Sequence, residues 1–397
     1  MVQIATAAEA MPGSLKLCYG ESDMATPAFI CDAADAALKA GHTFYTHTAG
    51  YLELREAIAG KIHQLHGVGY RPTEIMSTVG AAMAIYAAIR AFVGRGDNAV
   101  IVSPAYAIFT NGVIMAGGEP RPVPLARDGG GFRLDLDRVR AAIDRDTRMI
   151  IINSPSNPTG WVTSAEEQRS LLELAAQHDL ILLADEVYER LVYHDKPSAF
   201  AQSASADKKG LSPQVEGLSP QVAPSFARVA GNRDRLIVVN SFSKTYNMTG
   251  WRLGWAQASE TTIKTMYRAV EFMTSNPSAM VQQAGIAALR DGEPYIAELR
   301  RHYTDRRAQV VTALAATPGV SLPAPAGAFY AFPRIEGLTD STAFTATLLQ
   351  ATGVALAPGV AFGSDGEGYI RVCFAATEAT MTTALERFRG FVTNRAS

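Results

Sequence analysis

The residues of this chain best suited to covalent chemistry lie in one short segment, SFSKTYNMTGWR, which runs from Ser241 to Arg252. A lysine that is partly withdrawn from water has a lowered pKa, and its neutral amine is a nucleophile. Lys244 follows an apolar run and is a candidate for that role. The hydroxyls of Ser241 and Ser243 and the guanidinium of Arg252 are groups that suit a phosphate dianion. The alternative is a surface lysine in a polar loop.

Two further polar segments follow apolar runs. Asn157 lies in NSPSNPTG, where two X-Pro steps and a glycine predict a rigid turn that presents the amide side chain. Asp185 follows the apolar run ILLA, and Tyr188 comes soon after it. A carboxylate at the buried end of a strand is costly unless a cation pairs with it. Asp185 therefore predicts a cationic partner, and a protonated pyridine nitrogen would serve.

The elements that must position these side chains alternate along the chain. Short apolar runs rich in valine and isoleucine predict strands that are buried on both faces. Strands are predicted at 75–79, 99–103, 149–153, 180–187, 236–242 and 251–258. Helices are predicted at 82–93, 107–116 and 164–178. This order predicts an α/β domain with a mostly parallel sheet between helices, and ligands bind such sheets at the carboxyl ends of the strands.

The pattern changes after about residue 275. A long helix is predicted at 294–315, short strands at 328–332, 354–357 and 369–374, and a final helix at 378–392. These elements suit a smaller α+β domain. We expect a large domain at 27–275 and a small domain built from 1–26 and 276–397.

Composition argues against several classes of protein. Lysine and arginine number 36 against 38 acidic residues, so no electrostatic case exists for nucleic acid or a membrane surface. The three scattered cysteines form no disulfide framework and no metal-binding spacing, which favours free thiols in a reducing cytosol. The N-terminus lacks the features of a secretory signal, and no apolar run is long enough for a membrane span. We expect a cytoplasmic protein.

Together these segments resemble the class I/II aminotransferases, pyridoxal-phosphate enzymes of fold type I. The resemblance covers nearly the whole chain. It includes, in the family's order, GESD, the NPTG turn, the Asp-x-x-Tyr strand end, the SFSK lysine loop and the arginine of YIRVCFA. It implies pyridoxal 5'-phosphate as cofactor, bound by the large domain, and transfer of an amino group from an L-amino acid to a 2-oxo acid.

The resemblance also implies the catalytic roles. Lys244 would bind the cofactor aldehyde as a Schiff base and later move a proton as general base and acid. Asp185 would pair with the pyridinium nitrogen and keep it protonated. Asn157 and Tyr188 would hydrogen-bond the ring 3-oxygen.

Further residues would hold the rest of the cofactor and the substrate. The phosphate would be bound by a set of polar groups and helix N-terminal amides: Ser241, Ser243, Arg252, Gly80, Ala81 and Ala82. Tyr106 would stack on the pyridine ring. Tyr45 would reach the phosphate of a neighbouring subunit, which implies a homodimer with an active site at the subunit interface. Arg371 would grip the substrate α-carboxylate, with Gly20 and Asn157 close to it.

The sequence leaves several alternatives open. Elimination by a lyase, decarboxylation or an oxidase reaction uses the same scaffold, and a non-catalytic ligand-sensing module is a third class. Retention of Lys244, Asp185 and Arg371 together argues against a sensing module. Tyr330 and its neighbours suggest a neutral or aromatic substrate side chain, whereas Arg90 is a candidate partner for aspartate or glutamate.

Two remaining features point to no activity. His63 and His66 are spaced as a metal pair on a helix, but no third ligand is apparent, so we expect a solvated helix face and no metal. Residues 201–226 are rich in alanine, serine and proline and contain GLSPQV twice, which predicts an exposed insertion.

Overall fold

The computed structural model of the chain describes residues 2–128, 131–193 and 222–396. In these ranges the strands are β1 Leu15–Lys16, β2 Ile75–Thr78, β3 Asn98–Ser103, β4 Glu119–Pro124, β5 Ala126–Asp128, β6 Gly131–Arg133, β7 Thr147–Asn153, β8 Ile181–Asp185, β9 Leu236–Ser241, β10 Gly254–Gln257, β11 Val320–Ser321, β12 Tyr330–Ala331, β13 Arg334–Ile335, β14 Val354–Ala355, β15 Ala357–Pro358 and β16 Ile370–Cys373. The α-helices are α1 Val2–Glu9, α2 Ala28–Lys39, α3 Leu52–His66, α4 Gly80–Phe92, α5 Ile108–Ala116, α6 Leu136–Ala141, α7 Ala165–Gln177, α8 Phe226–Val229, α9 Phe242–Thr245, α10 Glu260–Met273, α11 Ala279–Asp291, α12 Glu293–Ala315, α13 Ser341–Thr352 and α14 Glu378–Ala396.

A seven-stranded sheet forms the centre of the large domain, in the order β2-β10-β9-β8-β7-β3-β4. All neighbouring pairs are parallel except those of β10, which runs antiparallel to both β2 and β9. Every residue of β3, β8 and β9 is buried, as their continuous apolar runs predict. The predicted α/β fold with a mostly parallel sheet is confirmed.

Helices cover both faces of this sheet. Alternate residues along each strand enter two different cores: Val100, Ile150 and Leu182 pack on one face, and their successors in the chain pack on the other. Burial of each such side chain contributes about 1.5–3 kcal/mol. The helix α7 begins at a capping box, in which the Ser164 hydroxyl accepts from the Glu167 amide and the Glu167 carboxylate accepts from the Ser164 amide.

The small domain joins C-terminal elements to the start of the chain. Its three-stranded sheet has the order β12-β16-β15, and β1 pairs with β14 in parallel. The helices α12, α13 and α14 pack around these strands. The helix α13 was not predicted. Its N-terminus is capped by the carboxylate of Asp340, which accepts a hydrogen bond from the Ala343 amide.

The position of α11 bears on where the two domains meet. Ala284 and Ala288 of this helix share a core with Ile30 of α2 and Leu54 of α3. The α-carbon of Gly285 leaves no room for a methyl group beside Leu253. We therefore propose that the large domain extends through α11, to about residue 292, rather than ending at the expected 275.

Two sequence predictions differ from the structure. The strand predicted at 251–258 is shorter because Arg252 adopts a positive φ of 55° and the ladder begins only at Gly254. Of the predicted insertion at 201–226, residues 201–221 lie outside the described part of the chain. Its last residues contradict the expected exposure, because Ala223, Ser225 and Phe226 are buried.

None of the helices in the described ranges combines the length and apolar character that a membrane crossing needs.

Candidate active site

Lys244 is held at the carboxyl end of β9 by a short capped helix. The Ser241 hydroxyl accepts a hydrogen bond from the Ser243 amide at 3.0 Å and so starts α9 directly after the strand. The amine of Lys244 donates to the carbonyl oxygen of Gly20 at 2.5 Å. Burial lowers the pKa of Lys244 to about 8. A substantial fraction of this amine is therefore neutral near physiological pH.

Asp185 ends β8, the strand next to β9 in the sheet. It is 5% exposed, and its carboxylate accepts a hydrogen bond from the Val187 amide at 3.2 Å. Burial raises the pKa of Asp185 to about 7, and the charge of nearby Lys244 offsets this only in part. Within the described ranges, no cationic side chain forms an ion pair with this carboxylate. The ionised form of this buried carboxyl group would therefore be stabilised by a bound cation.

Asn157 and Arg371 meet where the turn after β7 touches the small-domain sheet. The backbone amide of Asn157 donates to Oδ1 of the Asn153 side chain at 2.7 Å, which fixes the turn on the end of the strand. One terminal nitrogen of Arg371 donates to Asn157 Oδ1 at 3.0 Å and the other to the Cys18 carbonyl at 2.6 Å. Arg371 is 2% exposed, and its Nε has no hydrogen-bond partner among the described residues. Its guanidinium keeps its charge available to an anion.

Aromatic residues enclose these polar groups. The guanidinium carbon of Arg371 lies 4.5 Å from the centre of the Tyr330 ring. The hydroxyls of Tyr330 and Tyr188 are 2.7 Å apart. A methyl group on Gly20 would lie 2.5 Å from the Tyr330 hydroxyl, so this position needs glycine for close approach. Burial raises the pKa of Tyr188 well above its usual range, and this phenol stays protonated.

A second group of residues forms a cradle at the N-terminus of α4. Gly80 begins this helix with a positive φ of 73°, and a methyl group there would collide with the guanidinium of Arg252. Arg252 also donates to the Thr249 carbonyl at 2.9 Å. The first amides of a helix have no partner within it and favour an anion. Arg252 borders an open cavity of about 750 Å³, which also reaches Asn276.

Known proteins are similar to this chain in both sequence and fold. The family described as aminotransferase class I and II matches residues 12–388. The chain belongs to this family. An aspartate aminotransferase of Pyrococcus horikoshii is 34% identical over 96% of this chain and 91% of that protein. An aromatic-amino-acid aminotransferase of Thermococcus litoralis is 35% identical over 96% of this chain and 92% of its own length.

A solved structure supports the same assignment. The aromatic aminotransferase from Pyrococcus horikoshii superposes with a TM-score of 0.87 at 35% identity, covering 99% of each chain. The fold is that of the fold type I aminotransferases, as the sequence resemblance implied. The protein is an aminotransferase, and its reaction is the transfer of an amino group.

This aminotransferase brings together most of the residues predicted for its site, but not all. The contacts and electrostatic interactions given above link Lys244, Asp185, Tyr188, Asn157, Arg371 and Gly20, and Gly80 and Arg252 form the cradle. Ala81 and Ala82 lie in the first turn of α4. The Ser241 hydroxyl is engaged with backbone groups, and Ser243 is buried beside it.

Four other predicted positions are more exposed or differently used. Tyr106 is 40% exposed and Tyr45 is 92% exposed. Arg90 is exposed in the last turn of α4, which places it about 15 Å along the helix axis from Gly80. The expectation of a solvated face was wrong for His66, which is buried and hydrogen-bonds Glu189 at 2.8 Å.

Sequence reasoning missed two residues that contact Arg371. The ring centre of Phe362 lies 4.9 Å from its guanidinium carbon, and Cys18 supplies a carbonyl acceptor. Neither has a local sequence signal, because each reaches Arg371 from another segment. Cys373 is different: it follows Arg371 by two positions on β16 and so shares its face of the strand. That alternation could have identified Cys373 as a neighbour of the site.

Proposed function

We propose that this aminotransferase uses pyridoxal 5'-phosphate, with Lys244 as the residue that binds it covalently. The observation that supports this most directly is a buried carboxylate that forms no ion pair within the described part of the chain, close to a lysine with a lowered pKa. A protonated ring nitrogen would supply the missing cation at Asp185. The neutral amine of Lys244 is the form that reacts with an aldehyde.

The remaining residues fit the other parts of this cofactor. Its phosphate suits the cradle of Gly80, Ala81, Ala82 and Arg252, where a side chain at Gly80 would fill the space, with Ser241 and Ser243 beside it. The Asn157 oxygen already accepts from Arg371, so its NH₂ group is free to donate to the ring 3-oxygen. Tyr188 is a second donor for that oxygen, and Tyr106 would stack on the ring.

The chain's own residues perform the proton transfer. When bound, the cofactor supplies an electron sink for the bond broken at the substrate Cα. Once the substrate amine has taken its place, the Lys244 amine would accept the proton from the substrate Cα and give a proton back on the cofactor side, because its lowered pKa suits both directions. The Gly20 carbonyl orients its amine through the hydrogen bond described above. Asp185 would pair with the ring nitrogen and hold a proton on it.

Arg371 is the proposed anchor for the substrate α-carboxylate. Its unpartnered Nε and its charge allow a two-point hydrogen bond to a carboxylate. We propose a neutral or aromatic side chain, because Tyr330 and Phe362 enclose this arginine. Aspartate or glutamate is the second candidate, supported by the relatives named as aspartate aminotransferases. A distal carboxylate would need a further cation, and Arg90 lies exposed at the far end of α4.

We also propose a homodimer that completes the phosphate cradle. Tyr45 and its neighbour Phe44 are almost fully exposed, as is Phe272 at the end of α10. The His47 ring contacts Tyr267 of that helix, so the two segments lie side by side. Exposed rings of this size are typical of an interface, and the cradle opens to the surface.

The free cysteines suit a reducing compartment, which supports a cytoplasmic location.

A half-reaction tests this proposal. The purified enzyme, loaded with cofactor, is mixed with one L-amino acid at a time, and its visible absorbance and products are measured. Transamination predicts one equivalent of 2-oxo acid per active site and loss of the visible band. Phenylalanine and leucine should react faster than aspartate and glutamate. Ammonia with pyruvate would instead indicate a lyase, and peroxide an oxidase, and either would contradict the proposal.

A further inference from the structure

Two loops from different domains are joined by hydrogen bonds outside the residues assigned above. In the large domain, β3 ends at Ser103 and the chain continues to Ala105 and Tyr106. In the small domain, residues 359–366 form two short turns. The Ser103 hydroxyl donates to Asp365 Oδ2 at 2.7 Å, and the Ala105 amide donates to the Phe362 carbonyl at 2.9 Å. We call this pair of bonds the clasp.

Each loop carries a group of the active site. Phe362, in the small-domain loop, packs on the guanidinium of Arg371. Tyr106 follows Ala105 directly in the chain. It is close enough to Tyr330 to interact with it electrostatically: burial is the main cause of the raised pKa of Tyr330, and Tyr106 adds to the increase. The clasp therefore lies between the proposed ring-stacking residue and the proposed carboxylate anchor.

Both loops are fixed to their own domains. The Gly359 amide donates to the Tyr369 carbonyl at 2.9 Å, and its α-carbon packs on Gly366 so closely that a methyl group on either glycine would collide with the other's carbonyl. Ser103 is buried, and its carbonyl accepts from the Leu125 amide at 2.8 Å. The clasp thus joins two loops that are each tied to their own domain.

We propose that Asp365 is a positioning residue for amino-group transfer, which holds Phe362 and Arg371 in register with Tyr106 through its hydrogen bond to Ser103. This rests on the proposed function. The Asp365 carboxylate bonds Ser103 and has no role in the proposed binding of cofactor or substrate. A charge-assisted bond of this kind is stronger than a bond between neutral groups. Its loss would let the small domain move, so that the substrate carboxylate is held less tightly while Lys244 and Asp185 keep their places.

The expected effect is on KM rather than on kcat. In the holoenzyme, Asp365→Ala should raise KM for the amino acid about tenfold, as loss of one hydrogen bond to a charged group does, and change kcat by less than about threefold. Ser103→Ala should have a similar effect. The double variant should be no worse than either single variant, because both remove one bond. Asp365→Asn keeps an oxygen acceptor for Ser103 and should restore most of the wild-type KM.

A matched control comes from the same domain. Asp340 is an aspartate that caps α13 and takes no part in the clasp, so Asp340→Ala should lower stability without changing KM. Thermal melting of every variant identifies any that fail to fold. If Asp365→Ala is one of them, the KM values of Asp365→Asn and Ser103→Ala test the proposal instead. An unchanged KM in Asp365→Ala, or additive effects in the double variant, would overturn the proposal.

A second readout does not depend on turnover. Amide hydrogen exchange of the full chain, measured without cofactor, should increase in both 104–108 and 359–366 when either Ser103 or Asp365 is changed to alanine. An increase in exchange confined to the mutated loop would contradict the proposal that the clasp couples the two loops. Should the wild-type enzyme fail to react with any amino acid, the proposed function fails, whereas the exchange measurement still decides whether the two loops are coupled.

Discussion

The turn at 185–190 contributes to two clusters of buried polar groups that are built in different ways. In the first, the paired cluster, His66 bonds Glu189 and Arg190 makes a two-point contact with Glu293. In the second, the open cluster of Asp185, Lys244 and Arg371, the cations meet neutral oxygens and the carboxylate meets only a backbone amide within the described residues.

The electrostatics of the two clusters differ accordingly. Burial lowers the pKa of His66, but its bond to Glu189 more than compensates and raises it overall. The hydrogen bonds from Arg190 lower the pKa of Glu293 to about 2. In the open cluster, Asp185 and Lys244 both shift toward their neutral forms because burial dominates. The paired cluster thus stabilises the fold, whereas the open one keeps its charges for a ligand.

The largest expected effect is on turnover in Asp185→Asn. Loss of the carboxylate opposite the ring nitrogen should lower kcat by about 10³-fold, the scale on which one partner of a buried ion pair matters. The cofactor-free chain should be at least as stable as wild type, since an uncompensated buried acid has been removed. Steady-state kinetics and urea unfolding test both statements. Near-normal turnover would remove Asp185 from its proposed role.

The matched change in the paired cluster is Glu189→Gln. It leaves the buried His66 without its carboxylate and should lower the free energy of unfolding by about 3 kcal/mol. Turnover of the folded enzyme should stay within about threefold of wild type, since the residue acts on stability and not on the reaction. Urea unfolding measures the first quantity and steady-state kinetics the second. If Glu189→Gln behaved like Asp185→Asn, the distinction between the clusters would be lost.

A smaller effect is expected from Arg371→Lys, which keeps the charge but not the planar fork. The amino-acid KM should rise about 10- to 100-fold, because a lysine offers a single point of contact to the α-carboxylate. Cofactor affinity should not change, since Arg371 binds no part of the cofactor. Kinetics and a cofactor titration monitored by visible absorbance separate the two effects. Weaker cofactor binding with an unchanged KM would contradict the assignment.

The pH dependence of cofactor loading tests the lowered pKa of Lys244 without any substitution. Only the neutral amine attacks an aldehyde, so the rate constant for covalent loading should rise about tenfold per pH unit below the pKa of Lys244 and level off above it. With that pKa lowered to about 8, the plateau should begin near pH 8. Stopped-flow absorbance between pH 6 and 11 measures this. A rate that keeps rising beyond pH 10 would indicate an ordinary, exposed lysine.

Much of the large domain could be predicted because its strands are continuous apolar runs. The strand ends at Asp185 and Ser241 follow from where those runs stop, and they bring Asp185 and Lys244 to one edge of the sheet. The resemblance supplied Arg371 and Tyr106. What the sequence could not provide are contacts between distant segments, such as His66 with Glu189 or Ser103 with Asp365.

Two boundaries depend on structural features that the apolar pattern does not report. The strand expected to begin at 251 begins later because Arg252 takes a left-handed conformation that no apolar pattern reports. The expected division at 275 follows a change in pattern along the chain. Packing of α11 on α2 is the basis for our proposal that this helix belongs to the large domain. Neither a left-handed backbone conformation nor the packing of one helix on another is encoded in the periodicity of the chain.

The central claim is that Lys244 carries the cofactor, and reductive trapping tests it most directly. The holoenzyme is treated with borohydride, digested, and its peptides are analysed by mass spectrometry, with Lys244→Ala treated in parallel. We predict one cofactor-derived mass increment, located on Lys244, and none in the variant. An increment on any other lysine, or an equal yield of labelled peptide from Lys244→Ala, would contradict this account.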